Sequence, residues 1–156
     1  MQKVLLILFS YAGMDKIIAR LTQLIEKDDS LYVVGVVLQE ISPSFSTLIS
    51  DIGFLGDKVV RDVQKAVGDI YQENARIHLN EIEDEFKKQD INVIKDEITD
   101  ADLVRIDRKV KEEEVDKIII NYTKNEYIIH SAIDTKVQDF FNRNDIPVEI
   151  YYDGIK

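Results

Sequence analysis

The chain opens with an unbroken apolar run, Val4-Leu5-Leu6-Ile7-Leu8-Phe9, bounded by Lys3 and by Ser10-Tyr11-Ala12-Gly13. A short apolar run between a charge and a turn predicts a strand covered on both faces. The spacing then changes. Met14, Ile17, Ile18, Leu21, Leu24 and Ile25 fall on one helical stripe, with Lys16, Arg20, Gln23 and Lys27 opposite. Asp28-Asp29-Ser30 breaks that helix, and Leu31 to Leu38 reads as a second doubly buried strand. Two buried strands joined by a helix predict a parallel pair with a right-handed crossover.

From about residue 40 to 57 the pattern departs from a minimal domain. Ser42-Pro43-Ser44, Gly53 and Gly56 suggest turns, yet Ile41, Phe45, Leu48, Ile49, Ile52, Phe54 and Leu55 are too apolar for a solvated linker. A long helical pattern follows from Lys58 to Gln89, with Val60, Val63, Val67, Ile70, Tyr71, Leu79, Ile82 and Phe86 on or near one stripe. At 1.5 Å per residue it spans roughly 50 Å, against about 20 Å for a strand, so part of it cannot lie on the sheet. Gly68 is the expected break.

Ile91 to Ile98 predicts an edge strand, interrupted by Lys95, Asp96 and Glu97. Thr99 and Asp102 have capping-box spacing ahead of a short helix carrying Leu103, Ile106 and Val110. Lys117 to Asn121 reads as a buried strand, followed by a turn at Tyr122-Thr123-Lys124-Asn125. A helix with Ile129, Ile133, Val137, Phe140 and Phe141 at helical spacing comes next, then an edge strand from Pro147 to Tyr152.

Strand and helix alternate throughout, which predicts one α/β domain over residues 1–156: a doubly wound, five-stranded parallel sheet in a three-layer sandwich. The most apolar strands, the first, second and fourth, belong in the middle, giving the order 3-2-1-4-5. In that order the winding reverses between the first and fourth strands, and any ligand should sit in the crevice at their carboxyl ends. Ser10 to Gly13, Gln39, Glu40 and Asn121 to Asn125 would face it.

Charge narrows the partners. A net charge of −10 repels phosphate backbones and anionic lipid, so neither nucleic acid nor a membrane surface is expected as a partner. The chain has no cysteine, which removes disulfides, thiolate metal sites and cysteine nucleophiles. No signal peptide or membrane-length apolar run is present, so the reading is cytoplasmic.

Val4 to Phe9, Val33-Val34-Gly35-Val36-Val37, Val115 to Ile120 and Ile146-Pro147-Val148-Glu149-Ile150 together resemble the universal stress proteins over Lys3 to Tyr152. The resemblance implies a small cytoplasmic protein of the adenine nucleotide alpha hydrolase-like architecture, with a regulatory or stress-response role. Nucleotide-binding members carry an aspartate after the first strand, where this chain has Ser10. They also carry a glycine-rich loop after the fourth strand, and no glycine occurs here from Asn121 to Ile150. The family's Gly-Ser position falls near Asp134-Thr135. Glycines let backbone N–H groups approach phosphate oxygens, and side chains there, Asp134 above all, oppose it. ATP binding in the family's manner is therefore not expected.

No residue is read as catalytic. His130, Asp134 and Ser131 or Ser10 invite a triad, but Ser131 adjoins His130 and no Gly-x-Ser-x-Gly elbow exists. His78, Glu81 and Glu85 could share a helical face, without visible ligands on a second element, and the run Glu81 to Glu85 reads as a solvated face. No metal or cofactor is expected. The residues placed to meet a ligand are Ser10, Tyr11, Gly13, Val34, Asn121, Thr123 and Lys124. The apolar insertion is either a lid over the crevice or a protrusion packing on a second subunit, and self-association is the preferred reading. The homodimer contacts would be Phe54 and Leu55, with Val148, Ile150 and an exposed Tyr151 on the edge strand.

Overall fold

The computed structural model describes residues 1–38, 43–125, 131–143 and 145–156. Five strands, β1 (Lys3–Leu8), β2 (Ser30–Val37), β3 (Asn92–Thr99), β4 (Lys117–Tyr122) and β5 (Val148–Tyr152), form one sheet in the order β3-β2-β1-β4-β5. Every pairing is parallel. The helices are α1 (Met14–Leu24), α2 (Pro43–Asp51), α3 (Asp57–Lys87), α4 (Val104–Glu112) and α5 (Ser131–Phe141). The expected order and class are those observed.

The continuous apolar runs follow from coverage of both faces. Leu5, Ile7 and Phe9 face one cluster with Ile106 and Val110 of α4 and Ile133, Val137 and Phe140 of α5. Val4, Leu6 and Leu8 face the other, with Ile17 and Leu21 of α1 and Leu79, Ile82 and Phe86 of α3. Alternate residues thus enter opposite layers, so every position of β1 from Val4 to Leu8 is buried and apolar. Each fully buried aliphatic side chain contributes about 1.5–3 kcal/mol of transfer free energy, which concentrates stabilisation on the central strand.

Helix α3 is the long element, 31 residues without interruption. The expected break at Gly68 does not occur, because a single glycine costs only about 1 kcal/mol in a helix held by its neighbours. At 1.5 Å per residue it spans about 46 Å, against about 26 Å for an eight-residue strand. Its buried residues begin at Ala75 and continue through Leu79, Ile82 and Phe86. Val60, Val63, Val67 and Tyr71 continue the same stripe half-buried, past the carboxyl ends of the strands.

The insertion contains a helix that the apolar pattern did not resolve: α2, followed by a 3₁₀ turn at Gly53–Leu55. Ile49 is buried, whereas Leu48, Phe54 and Leu55 are exposed. Gln39, Glu40, Ile41 and Ser42 lie outside the described residues. The capping box expected at Thr99 is also absent. Thr99 makes no side-chain cap hydrogen bond, and a 3₁₀ turn at Asp100–Asp102 separates β3 from α4.

On β5 the expectation of an exposed Tyr151 is corrected. Tyr151 is 7 % exposed, packed in the α1–α3 layer, and its hydroxyl donates to Glu149 Oε2 at 3.0 Å. Val148 and Ile150 point to the opposite layer and pack against its core. Glu149 itself is held by Arg20 of α1 at 2.6 Å and by Lys117 of β4 at 3.0 Å. Period-two alternation sends these side chains into the two layers instead of outward along the edge. Among the described residues no helix is long and apolar enough to cross a membrane.

Candidate functional site: a carboxylate-edged cleft at the switch point

At the carboxyl end of β1 the chain crosses toward β4. Backbone N–H groups of Phe9 and Ser10 both donate to the Asn121 carbonyl, at 2.9 and 3.1 Å. Beyond this junction lies a cleft of about 340 Å³. Phe9, Val36 and Leu38 give it an apolar side, while Ser10, Thr123, Asn125 and Asp153 give it a polar edge. Helix α3 adds Tyr71, Asn74 and His78. That position, at the ends of the strands where the winding reverses, is where doubly wound folds bind ligands.

The polar edge depends on the last turn of the chain. After β5, Asp153 and Gly154 adopt φ 51 and 85, and Tyr152 pairs with Ile155, its N–H donating to the Ile155 carbonyl at 2.7 Å. The turn folds onto Gly13, which caps α1 at φ 68. A Cβ on Gly13 would lie 2.0 Å from the Asp153 carbonyl oxygen, so only glycine permits this approach. Asn121 fixes the junction from beneath. Its Nδ2 donates to the carbonyls of Ser10 and Ala12 at 3.0 and 2.9 Å, and its Oδ1 accepts the Gly154 N–H at 2.9 Å.

So anchored, the Asp153 carboxylate receives both neighbouring hydroxyls. Ser10 Oγ donates to Oδ1 at 2.7 Å and Thr123 Oγ1 donates to Oδ2 at 3.1 Å. Each hydroxyl oxygen also accepts a backbone N–H, Ser10 from Ala12 at 3.2 Å and Thr123 from Asn125 at 3.1 Å.

Tyr11 closes the α3 side. Its hydroxyl donates to the Val36 carbonyl at 3.1 Å, in space left by Gly35, where a Cβ would come within 2.8 Å of that hydroxyl. Burial, and secondly the Glu97 carboxylate, push the phenol's pKa well above its ordinary value. Its ring stacks on His78 at 5.7 Å between centroids. His78 Nδ1 is buried and lies 3.3 Å from Glu81 Oε2 without the alignment of a hydrogen bond.

Three of the expected ligand residues, Ser10, Tyr11 and Thr123, line the cleft. The other four do not. Val34 is buried within β2, and it is Val36, two residues on along the same face, that reaches the cleft. Asn121 is fully buried as the clamp just described, and Gly13 is occupied by the C-terminal turn. Lys124 is exposed, with its ammonium 4.6 Å from the centre of the Tyr152 ring. His78, expected on a solvated face, stands at the cleft instead. Asp153, Asn74 and Tyr71 were missed as site residues. The Asp-Gly dipeptide after β5 is a turn signal that could have indicated the return of the chain.

His130 lies outside the described residues, so the triad reading finds no geometry there, and nothing is described of the Ser131 side chain. Asp134 accepts a hydrogen bond from the buried Tyr122 hydroxyl at 3.1 Å and is not among the cleft residues. Among the described residues no three His, Asp or Glu side chains converge as metal ligands.

Comparison of the sequence with family models finds no match, and neither does comparison with curated proteins. The fold has clear relatives. The structure of hypothetical protein MJ0577, the subject of a structure-based assignment of biochemical function, aligns with a TM-score of 0.58 at 13 % identity, over 97 % of this chain and 95 % of that one. Universal stress protein UspA from Lactobacillus plantarum aligns over 96 % of this chain and 97 % of its own, with a TM-score of 0.47 and 12 % identity. With its parallel sheet in the order β3-β2-β1-β4-β5 and helices on both faces, the chain shares the doubly wound α/β fold of the MJ0577 structure.

Proposed function

We propose that this chain is a non-catalytic, universal stress protein-like module whose cleft holds a small molecule lacking a polyphosphate. The observation that carries the reading is the Asp153 carboxylate at the switch point, on the edge where a phosphate chain would need donors. It agrees with the absence of glycine between Asn121 and Ile150. Catalysis is not proposed because the Ser10 proton is held by a carboxylate, while His78 stacks on Tyr11. A thermal shift screen against metabolites and nucleotides tests the reading. A ligand at a hundredfold excess over its Kd adds about 2.7 kcal/mol to stability, a rise of a few degrees for a chain of this size. Stabilisation by an uncharged or cationic metabolite, with none by ATP, is expected. A flat response to the whole panel, or a response to ATP, counts against it.

A second reading, self-association, is favoured by the tip of the insertion. Phe54 and Leu55 on the 3₁₀ turn are 84 % and 54 % exposed and Leu48 of α2 is 49 % exposed, and large exposed apolar side chains so close in sequence are covered most simply by a second copy. Light scattering at micromolar concentration should give a dimer mass that falls to the monomer when Phe54 and Leu55 are both replaced by serine. A monomer in the unsubstituted protein removes this reading.

A further inference from the structure

Resting on the ligand-binding reading above, we propose that the cleft selects an organic cation, a small primary ammonium compound with an apolar or aromatic body. The direction of the hydrogen bonds carries this. Ser10 and Thr123 send their protons to Asp153, and Tyr11 sends its own to the Val36 carbonyl. Ser10 Oγ and Thr123 Oγ1 each already accept a backbone N–H. Beside the Asn125 amide, which can accept as well as donate, what the polar edge offers a ligand is therefore the remaining lone pairs of the Asp153 carboxylate, which accept and never donate. An anion meets repulsion there, and a neutral group gains only if it donates.

The remaining polar side chains on α3 do not reverse the preference. Tyr71, Asn74 and His78 can each accept as well as donate, and Asp153 is the only Asp, Glu, Lys or Arg among the described lining residues. The protein's charge of −10 adds a long-range field that draws cations and repels anions. Phe9, Val36 and Leu38 supply an apolar surface beside the carboxylate, so an ammonium can meet Asp153 while its body leaves water. A cleft of about 340 Å³ suits one ring or a short chain.

The test is an amide-resolved NMR titration of the full chain with three probes of one size: phenethylammonium, phenylethyl alcohol and phenylacetate. The ammonium should shift the amides of Ser10 to Ala12 and Thr123 to Asn125. It should bind about tenfold more tightly than the alcohol, as expected for a charged partner to a carboxylate, and lose that advantage in Asp153→Asn. Asparagine tolerates the left-handed backbone at this position, and the alcohol comparison uses the unsubstituted protein, so a folding defect in the variant cannot decide the result. If the alcohol or phenylacetate shifts the same amides as tightly as the ammonium, the preference for a cation is wrong while the cleft reading stands. If none of the probes shifts those amides, both fail.

Discussion

Ser10 Oγ donates to Asp153 Oδ1 at 2.7 Å, joining the end of the first strand to the turn after the last one across 143 residues of sequence. The same aspartate takes the Thr123 hydroxyl, so one carboxylate ties β1, β4 and the C-terminal turn together at the mouth of the cleft. Cleft chemistry and closure of the fold thus depend on the same residue.

That tie has a measurable strength. In a double-mutant cycle of Ser10→Ala and Asp153→Gly, followed by urea denaturation, the coupling should be about 1.5–3 kcal/mol, the range of a hydrogen bond to a charged acceptor. Glycine suits the positive φ of Asp153, so backbone strain stays out of the comparison. Additive effects would mean that the two side chains do not interact in solution.

Asn121 should prove far less tolerant than its neighbours. It is fully buried and satisfies two carbonyls of the loop after β1 and one N–H of the C-terminal turn. Asn121→Ala is expected to cost about 2–4 kcal/mol, since several backbone groups lose their partner at once. Lys124→Ala, at an exposed site, should change stability by no more than about 0.5 kcal/mol. The denaturant midpoints of the two variants make the check.

Two glycines should respond with opposite sign. Gly13→Ala places a Cβ against the Asp153 carbonyl at a left-handed φ and should destabilise by about 2 kcal/mol or more. Gly68→Ala, in mid-helix with nothing within 4 Å of the added carbon, should stabilise by about 0.5–1 kcal/mol. Thermal melting of both variants decides the matter.

Acid sensitivity should trace to Glu149. The hydrogen bond from Arg20 is the chief cause, supported by Lys117 and Tyr151 against the opposing effect of burial, and the carboxyl is held at about 2 instead of the ordinary 4.5. A folded pKa below the unfolded one gives stability that is complete above the unfolded value and is lost as pH falls through the folded one. Glu149→Gln should therefore be less stable by about 2 kcal/mol at neutral pH, with the gap closing between about pH 5 and pH 2. A gap independent of pH would contradict this.

The fold was legible because β1, β2 and β4 each carry a continuous apolar run, and that pattern fixes coverage, parallel pairing and central position together. The cleft was legible only in part. Ser10, Tyr11 and Thr123 were found because they directly follow the strands that end at the switch point. Asp153 was not, because what brings it there is the fold-back of the chain onto Gly13, a contact between residues far apart in sequence. His78 was hidden for a similar reason: helical periodicity groups it with Glu81, whereas the packing of α3 over the loop after β1 stacks its ring on Tyr11. Asn121 and Gly13 were chosen as ligand residues, and their polarity and conformational freedom serve the architecture of the site instead.

The most direct test of the cleft's character is a calorimetric titration of magnesium-ATP into the protein at neutral pH. With the Asp153 carboxylate at the switch point and no glycine loop after β4, no saturable heat should appear up to millimolar nucleotide. Saturable binding in the micromolar range, weakened by substitution at Ser10 or Thr123, would show that a polyphosphate does find its place among these residues.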